Sequence, residues 1–62
     1  MKNTQLSQLA ISTGYDLSHL EECLNYVLHS RRFNVNNDDI VEELICDFEI
    51  SRYTANEVIN CA

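Results

Sequence analysis

Residues 9–27, LAISTGYDLSHLEECLNYV, hold two helical patterns separated by a break. Leu6, Leu9, Ala10 and Thr13 recur at helical spacing up to Gly14, and a glycine just behind the last periodic position is the common left-handed stop of a helix. The pattern resumes at Leu17 and runs through Leu20, Leu24, Val27 and Leu28, with Cys23 alongside and Tyr26 off the stripe. Helices are therefore expected over about residues 4–13 and 17–31. Asp16 or Ser18 would cap the second, and Ser18-His19-Leu20-Glu21 has the form of a capping box.

Working outward, Phe33 to Asp38 form an asparagine-rich connection in which Phe33 and Val35 alternate with polar residues and are expected to tuck into the core. Asn37, Asp38 or Asp39 should start a third helix running to about Phe48, with Ile40, Val41, Leu44, Ile45 and Phe48 on one face and Glu42, Glu43, Asp47 and Glu49 on the other. Thr54-Ala55-Asn56-Glu57 reads as a second capping box opening a helix that buries Ala55, Val58 and Ile59. Residues 14–20 also echo residues 47–53, with six of seven pairs chemically similar. Two interhelical corners of like construction explain that echo more simply than a duplication. The expectation is an all-α fold, a compact bundle of three to four short helices with a helix-turn-helix-like corner, in one domain over residues 1–62.

Composition narrows the class. A 62-residue chain buries only about 60% of its unfolded surface and is marginal alone. Proline is absent and there is one glycine, which disfavours disordered linkers. Ten Asp and Glu against four Lys and Arg give a formal charge of −6. Nucleic-acid binders draw much of their affinity from neutralising phosphates, so the expected partner is a protein with a basic surface. The start, MKNTQLSQ, lacks the apolar core of a signal peptide and no run suffices for a membrane span. A cytoplasmic protein, complete from its initiator methionine, is expected. Cys23, Cys46 and Cys61 show no CxxC spacing and should be reduced, mostly buried thiols.

Each candidate site has a plainer reading beside it. In a DNA-reading helix-turn-helix, Ala10 and Leu20 would be packing residues and Ser18, His19, Glu21, Glu22 and Asn25 would face the groove. Only Asn25 among these is a good base reader. His19 and Cys23 stand four apart, and Cys46, Cys61 and His29 could complete a metal site, but structural zinc sites usually show two tight pairs; no metal or cofactor is expected. A chain this short is not expected to hold a substrate pocket, so no enzyme is expected either. The carboxylates of the third helix read mainly as a solvated face, and Arg31-Arg32-Phe33 as a complement to the carboxyl end of the second helix. The residues expected to touch a partner are Tyr15, Tyr26, Arg31, Arg32, Glu42, Glu43 and Tyr53. A fourth helix with little left to pack on suggests a homodimer in which it docks onto a second copy.

Two resemblances add to this. Gly14-Tyr15 behind a helix, the amphipathic helix through Leu20, Leu24 and Val27, a longer loop and Asp39-Ile40-Val41-Glu42-Glu43-Leu44-Ile45 resemble the ubiquitin-associated domain over residues 9–48. That resemblance implies a three-helix core and a ubiquitin-binding patch at Gly14, Tyr15, Leu44 and Ile45, with Thr13 in place of the family's methionine. In size, acidity and lack of proline the chain is also similar to small accessory proteins of temperate lambdoid phages. This likeness implies a non-enzymatic regulator acting through protein contacts.

The charge balance generates the first test. No affinity for duplex DNA tighter than about micromolar is expected at physiological salt. A fluorescence-anisotropy titration showing tighter, steeply salt-dependent binding would reverse the assignment.

Overall fold

Gly14 stops the first helix by the αL route. Its φ is +84°, and its N–H donates to the Ala10 carbonyl at 2.9 Å, the single bond that closes a helix whose next residue is left-handed. The structure, a computed structural model, describes the backbone of residues 2–62 and the side chains of residues 5–62; the reading of Met1 lies outside these residues. Four helices follow one another: α1 (Lys2–Thr13), α2 (Leu17–Arg32), α3 (Asn37–Asp47) and α4 (Arg52–Cys61). The fold is all-α. The expected positions of α2 and α3 agree to within a residue or two.

The caps differ from the expected ones. Asp16 holds the N-cap position of α2, as one of the two expected candidates, but its side chain makes no capping bond. Ser18 lies inside the helix, which starts at Leu17, so the box built on it does not form. At the far end α2 closes in a Schellman arrangement, with Asn34 N–H on Arg31 O (3.1 Å) and Val35 N–H on Ser30 O (3.3 Å). Asn34 takes the left-handed position at φ 60°, as asparagine tolerates better than most residues. Asn36 caps α3, its side-chain oxygen accepting from Asp39 N–H at 2.9 Å. α4 begins two residues earlier than Thr54 because Ser51 is its cap. Ser51 Oγ accepts from Thr54 N–H (3.2 Å) and shares a hydrogen with Thr54 Oγ1 (2.8 Å). Thr54 thus occupies the third turn position, reaching back to the cap.

One core serves all four helices. Leu6 and Leu9 enter from α1, Leu20, Cys23 and Val27 from α2, Ile40, Val41 and Leu44 from α3, and Ala55, Val58 and Ile59 from α4, with Ile50 from the last corner. The radius of gyration, 10.5 Å, equals that of a single globule of this length, about 10.6 Å. On α2 the buried line is Leu20, Cys23, Val27 and Ser30. Leu17 and Leu28 lie roughly 100° around the helix from its centre and are 37% exposed. Phe33 and Val35 also depart from expectation. The Schellman turn carries them past the core, leaving Phe33 67% exposed, its ring edge-on to His29 at 5.0 Å.

α4 is not the outlying helix that the sequence suggested. Its buried residues come in adjacent pairs, Thr54-Ala55 and Val58-Ile59, which makes a stripe wide enough for more than one neighbour. α4 packs against α1, α2 and α3 alike, and Ala55 and Val58 are wholly buried within one chain. The packing argument for a homodimer therefore fails. The echo between residues 14–20 and 47–53 fails in geometry as well. Positive φ falls at Gly14 in the first corner but at Glu49 (φ 55°) in the second, and the helices restart at Leu17 and at Arg52, which are not equivalent positions in the repeat.

These two left-handed residues generate opposite expectations. A Cβ on Gly14 would meet nothing within 4 Å, so Gly14→Ala should cost the backbone term alone, about 1 kcal/mol. Glu49→Gly should gain about 0.5–1 kcal/mol by relieving its φ, while Glu49→Ala, which removes the same charge but keeps Cβ, should not. Urea unfolding midpoints of the three variants check both signs.

Candidate functional site

The corner of residues 14–19 is turned inward, against the corner of residues 48–51. His19 Nε2 lies 2.7 Å from the Phe48 carbonyl. A carbonyl only accepts, so Nε2 carries the hydrogen. Tyr15 Oη accepts from Ser51 N–H at 3.1 Å. The rings form a row: Tyr15 to His19 at 6.3 Å, His19 to Phe48 at 6.0 Å and Phe48 to Tyr26 at 5.5 Å between centroids. Tyr15 and Tyr26, expected to touch a partner, are half-buried and packed on the core. His19 and Cys23 do not converge on a metal: His19 bonds Phe48, Cys23 is wholly buried, and no group of three or more potential ligands occurs among the described residues. Leu44, assigned to a ubiquitin patch by resemblance, is fully buried.

Arg31 reaches across the core edge and donates to the Ile59 carbonyl at 3.3 Å. It stands in the last turn of α2, as expected, and its side chain also serves the carboxyl end of α4. Arg32 remains exposed. Arg52 and Glu42 pair at 2.8 Å, both more than half exposed; such a pair contributes little to stability. Beside it Asp39, Glu43 and Asp47 stand four apart along α3, all exposed. Hydrogen bonding of the protonated Glu43 carboxyl to Asp47, followed by the negative charge of Asp47 and then that of Asp39, holds Glu43 above its ordinary value. That row therefore suffers from its own charge.

A groove of about 360 Å³ runs between α1 and α4. Chain length argues against such a space, and the polar faces of two adjacent helices create it. Gln5, Gln8 and Ser12 line it from α1, and Tyr53, Glu57 and Asn60 from α4, at the spacing that puts each set on one helix face. Leu9 belongs to its wall and Cys61 to its end. Tyr53 is 62% exposed; of the seven residues expected to meet a partner, it alone lines this space. The groove was legible only in part, because Gln5, Gln8 and Ser12 read as the plain polar side of a helix.

The thiols divide by environment. Burial, then the charge of Glu22, pushes Cys23 up to about 11. Burial, then Glu57, raises Cys61. Cys46 is exposed and Cys61 half-buried, so the expectation of mostly buried thiols holds for Cys23 alone; the outward side of α3 and the chain end leave the other two less covered.

No helix among the described residues is long and apolar enough to cross a membrane. Comparison with family models, curated proteins and solved structures gave no match.

Only a thiolate attacks a disulfide reagent at a useful rate. At pH 8, Cys46 should therefore react first with an aromatic disulfide reagent, Cys61 more slowly, and Cys23 only after unfolding. Peptide mapping of the modified protein reads this order, and native labelling of Cys23 at the rate of Cys46 would refute it.

Proposed function

We propose that this protein is a non-catalytic interaction module that binds a protein partner bearing a basic surface. The observation that supports this is the exposed row Asp39, Glu43 and Asp47 on α3, with Glu43 raised by its neighbour. Like charges four apart on a helix oppose one another, and a negative charge at the carboxyl end of a helix, where Asp47 lies, opposes the helix dipole. Such a row weakens the isolated fold and becomes favourable when cations cover it. The same charge weighs against DNA, as do Glu21 and Glu22 on the exposed side of α2. The likeness to phage accessory proteins makes a host or phage regulator a fitting kind of partner.

A double variant, Glu43→Gln/Asp47→Asn, separates binding from folding. Because the folded value of Glu43 is raised, its stabilising contribution is present below the unfolded value and lost as pH rises through the folded one. The neutral variant should thus be at least as stable as the parent at pH 7, by thermal melt. Affinity capture from host lysate, compared between parent and variant with mass-spectrometric readout, should return a basic protein from the parent, weakly from the variant and less at high salt. Equal capture by both refutes the reading.

A further inference from the structure

We propose that the groove between α1 and α4 receives one arginine side chain of the partner, its guanidinium stacked on Tyr53 and paired with Glu57. This rests on the reading of a basic partner and gives that partner a contact. Five observations converge on it.

The volume, about 360 Å³, is near the lower end for ligand pockets, suited to a side chain with its local backbone rather than a whole helix. The lining chemistry selects charge. Glu57 offers only acceptors, the amides of Gln5, Gln8 and Asn60 offer carbonyl oxygens, and among the described residues no lining side chain is cationic. An anion would meet Glu57, and an apolar group would strand the amides. Tyr53 and Glu57 stand four apart on α4, so ring and carboxylate lie on one face. Tyr53 presents its ring to water, and no other ring stacks on it among the described residues.

Glu57 is half-buried and, among the described residues, has no hydrogen-bond or ion-pair partner. Its field already reaches the groove end, where it helps raise the Cys61 thiol. Guanidinium fits these groups better than ammonium. It is planar, stacks on an aromatic face and pairs with a carboxylate through two parallel N–H groups, leaving further donors for the amide oxygens.

The test is an amide-resolved NMR titration of the full chain with the blocked pentapeptide acetyl-Gly-Gly-Arg-Gly-Gly-amide, alongside its lysine and citrulline counterparts. The arginine peptide should shift Gln5, Gln8, Ser12, Tyr53 and Glu57 saturably in the millimolar range. Lysine should bind several-fold more weakly, and citrulline, which has the shape without the charge, not measurably. Glu57→Gln should weaken the arginine peptide about tenfold and Tyr53→Ala several-fold, while Tyr53→Phe, which keeps the ring, should bind like the parent. Both positions line the groove and neither belongs to the buried core, and the spectra themselves report whether each variant is folded.

Shifts spread along α3 instead of the groove, equal binding of citrulline, or indifference to Glu57→Gln would each overturn the proposal. The Glu43→Gln/Asp47→Asn protein serves as the separating control. It should take the arginine peptide like the parent, so that loss of partner capture in that variant and loss of peptide binding in Glu57→Gln are independent results.

Discussion

The hydrogen bond from His19 to the Phe48 carbonyl is the constraint on which the second half of this molecule depends. It holds the end of α3 against the start of α2 across 29 residues of chain. The carbonyl it satisfies belongs to the last turn of a helix, where backbone acceptors have no partner within the helix itself. Tyr15 does the complementary service one corner-length on, accepting the free N–H of Ser51. Between these two bonds the chain turns through Glu49, inserts Ile50 into the core and sets the cap of α4. The direction in which α4 leaves, and so its place among the other three helices, follows from that docking.

α4 then does what a chain of this length needs. A small domain has few fully buried positions, and a helix with adjacent buried pairs supplies them to several neighbours at once. Ala55 allows close approach, while Val58 and Ile59 fill the space between α4 and its neighbours. The arrangement also fixes the functional surface. Burying Thr54, Ala55, Val58 and Ile59 turns Tyr53, Glu57 and Asn60 toward α1, and the groove is the gap left between the two polar faces. Charge is left to the outside: an ion pair at Glu42 and Arg52, Arg31 held on the end of α4, and the remaining carboxylates of α3 facing water.

The aromatic residues show how function and packing compete for the same side chains. Tyr15, Tyr26 and Tyr53 have equal claims as interface residues on residue type alone. Tyr15 and Tyr26 close the ring row over the two corners, because each stands at the flank of a buried line and has Phe48 or His19 within reach. Tyr53 has no such neighbour and remains outward. Arg31 and Arg32 divide in the same way: Arg31 lies nearer the buried line of α2 and finds a carbonyl, and Arg32 does not.

The sequence by itself determined the four helices, the stop at Gly14 and nearly all of the core, since these depend on local period and on the one residue that adopts positive φ without strain. It determined the acidic face of α3 for the same reason. Only the tertiary structure decided which serine or threonine became a cap, because Ser51 and Thr54 are equal candidates until Ile50 is anchored and Tyr15 holds Ser51 N–H. It also decided that Phe33 lies outside, since the left-handed turn at Asn34 rather than hydropathy sets where that ring points. Tyr53 apart, the groove was beyond reach of the sequence: Gln5 and Glu57 face one another only when α4 folds back onto α1, and no period within either helix records that pairing.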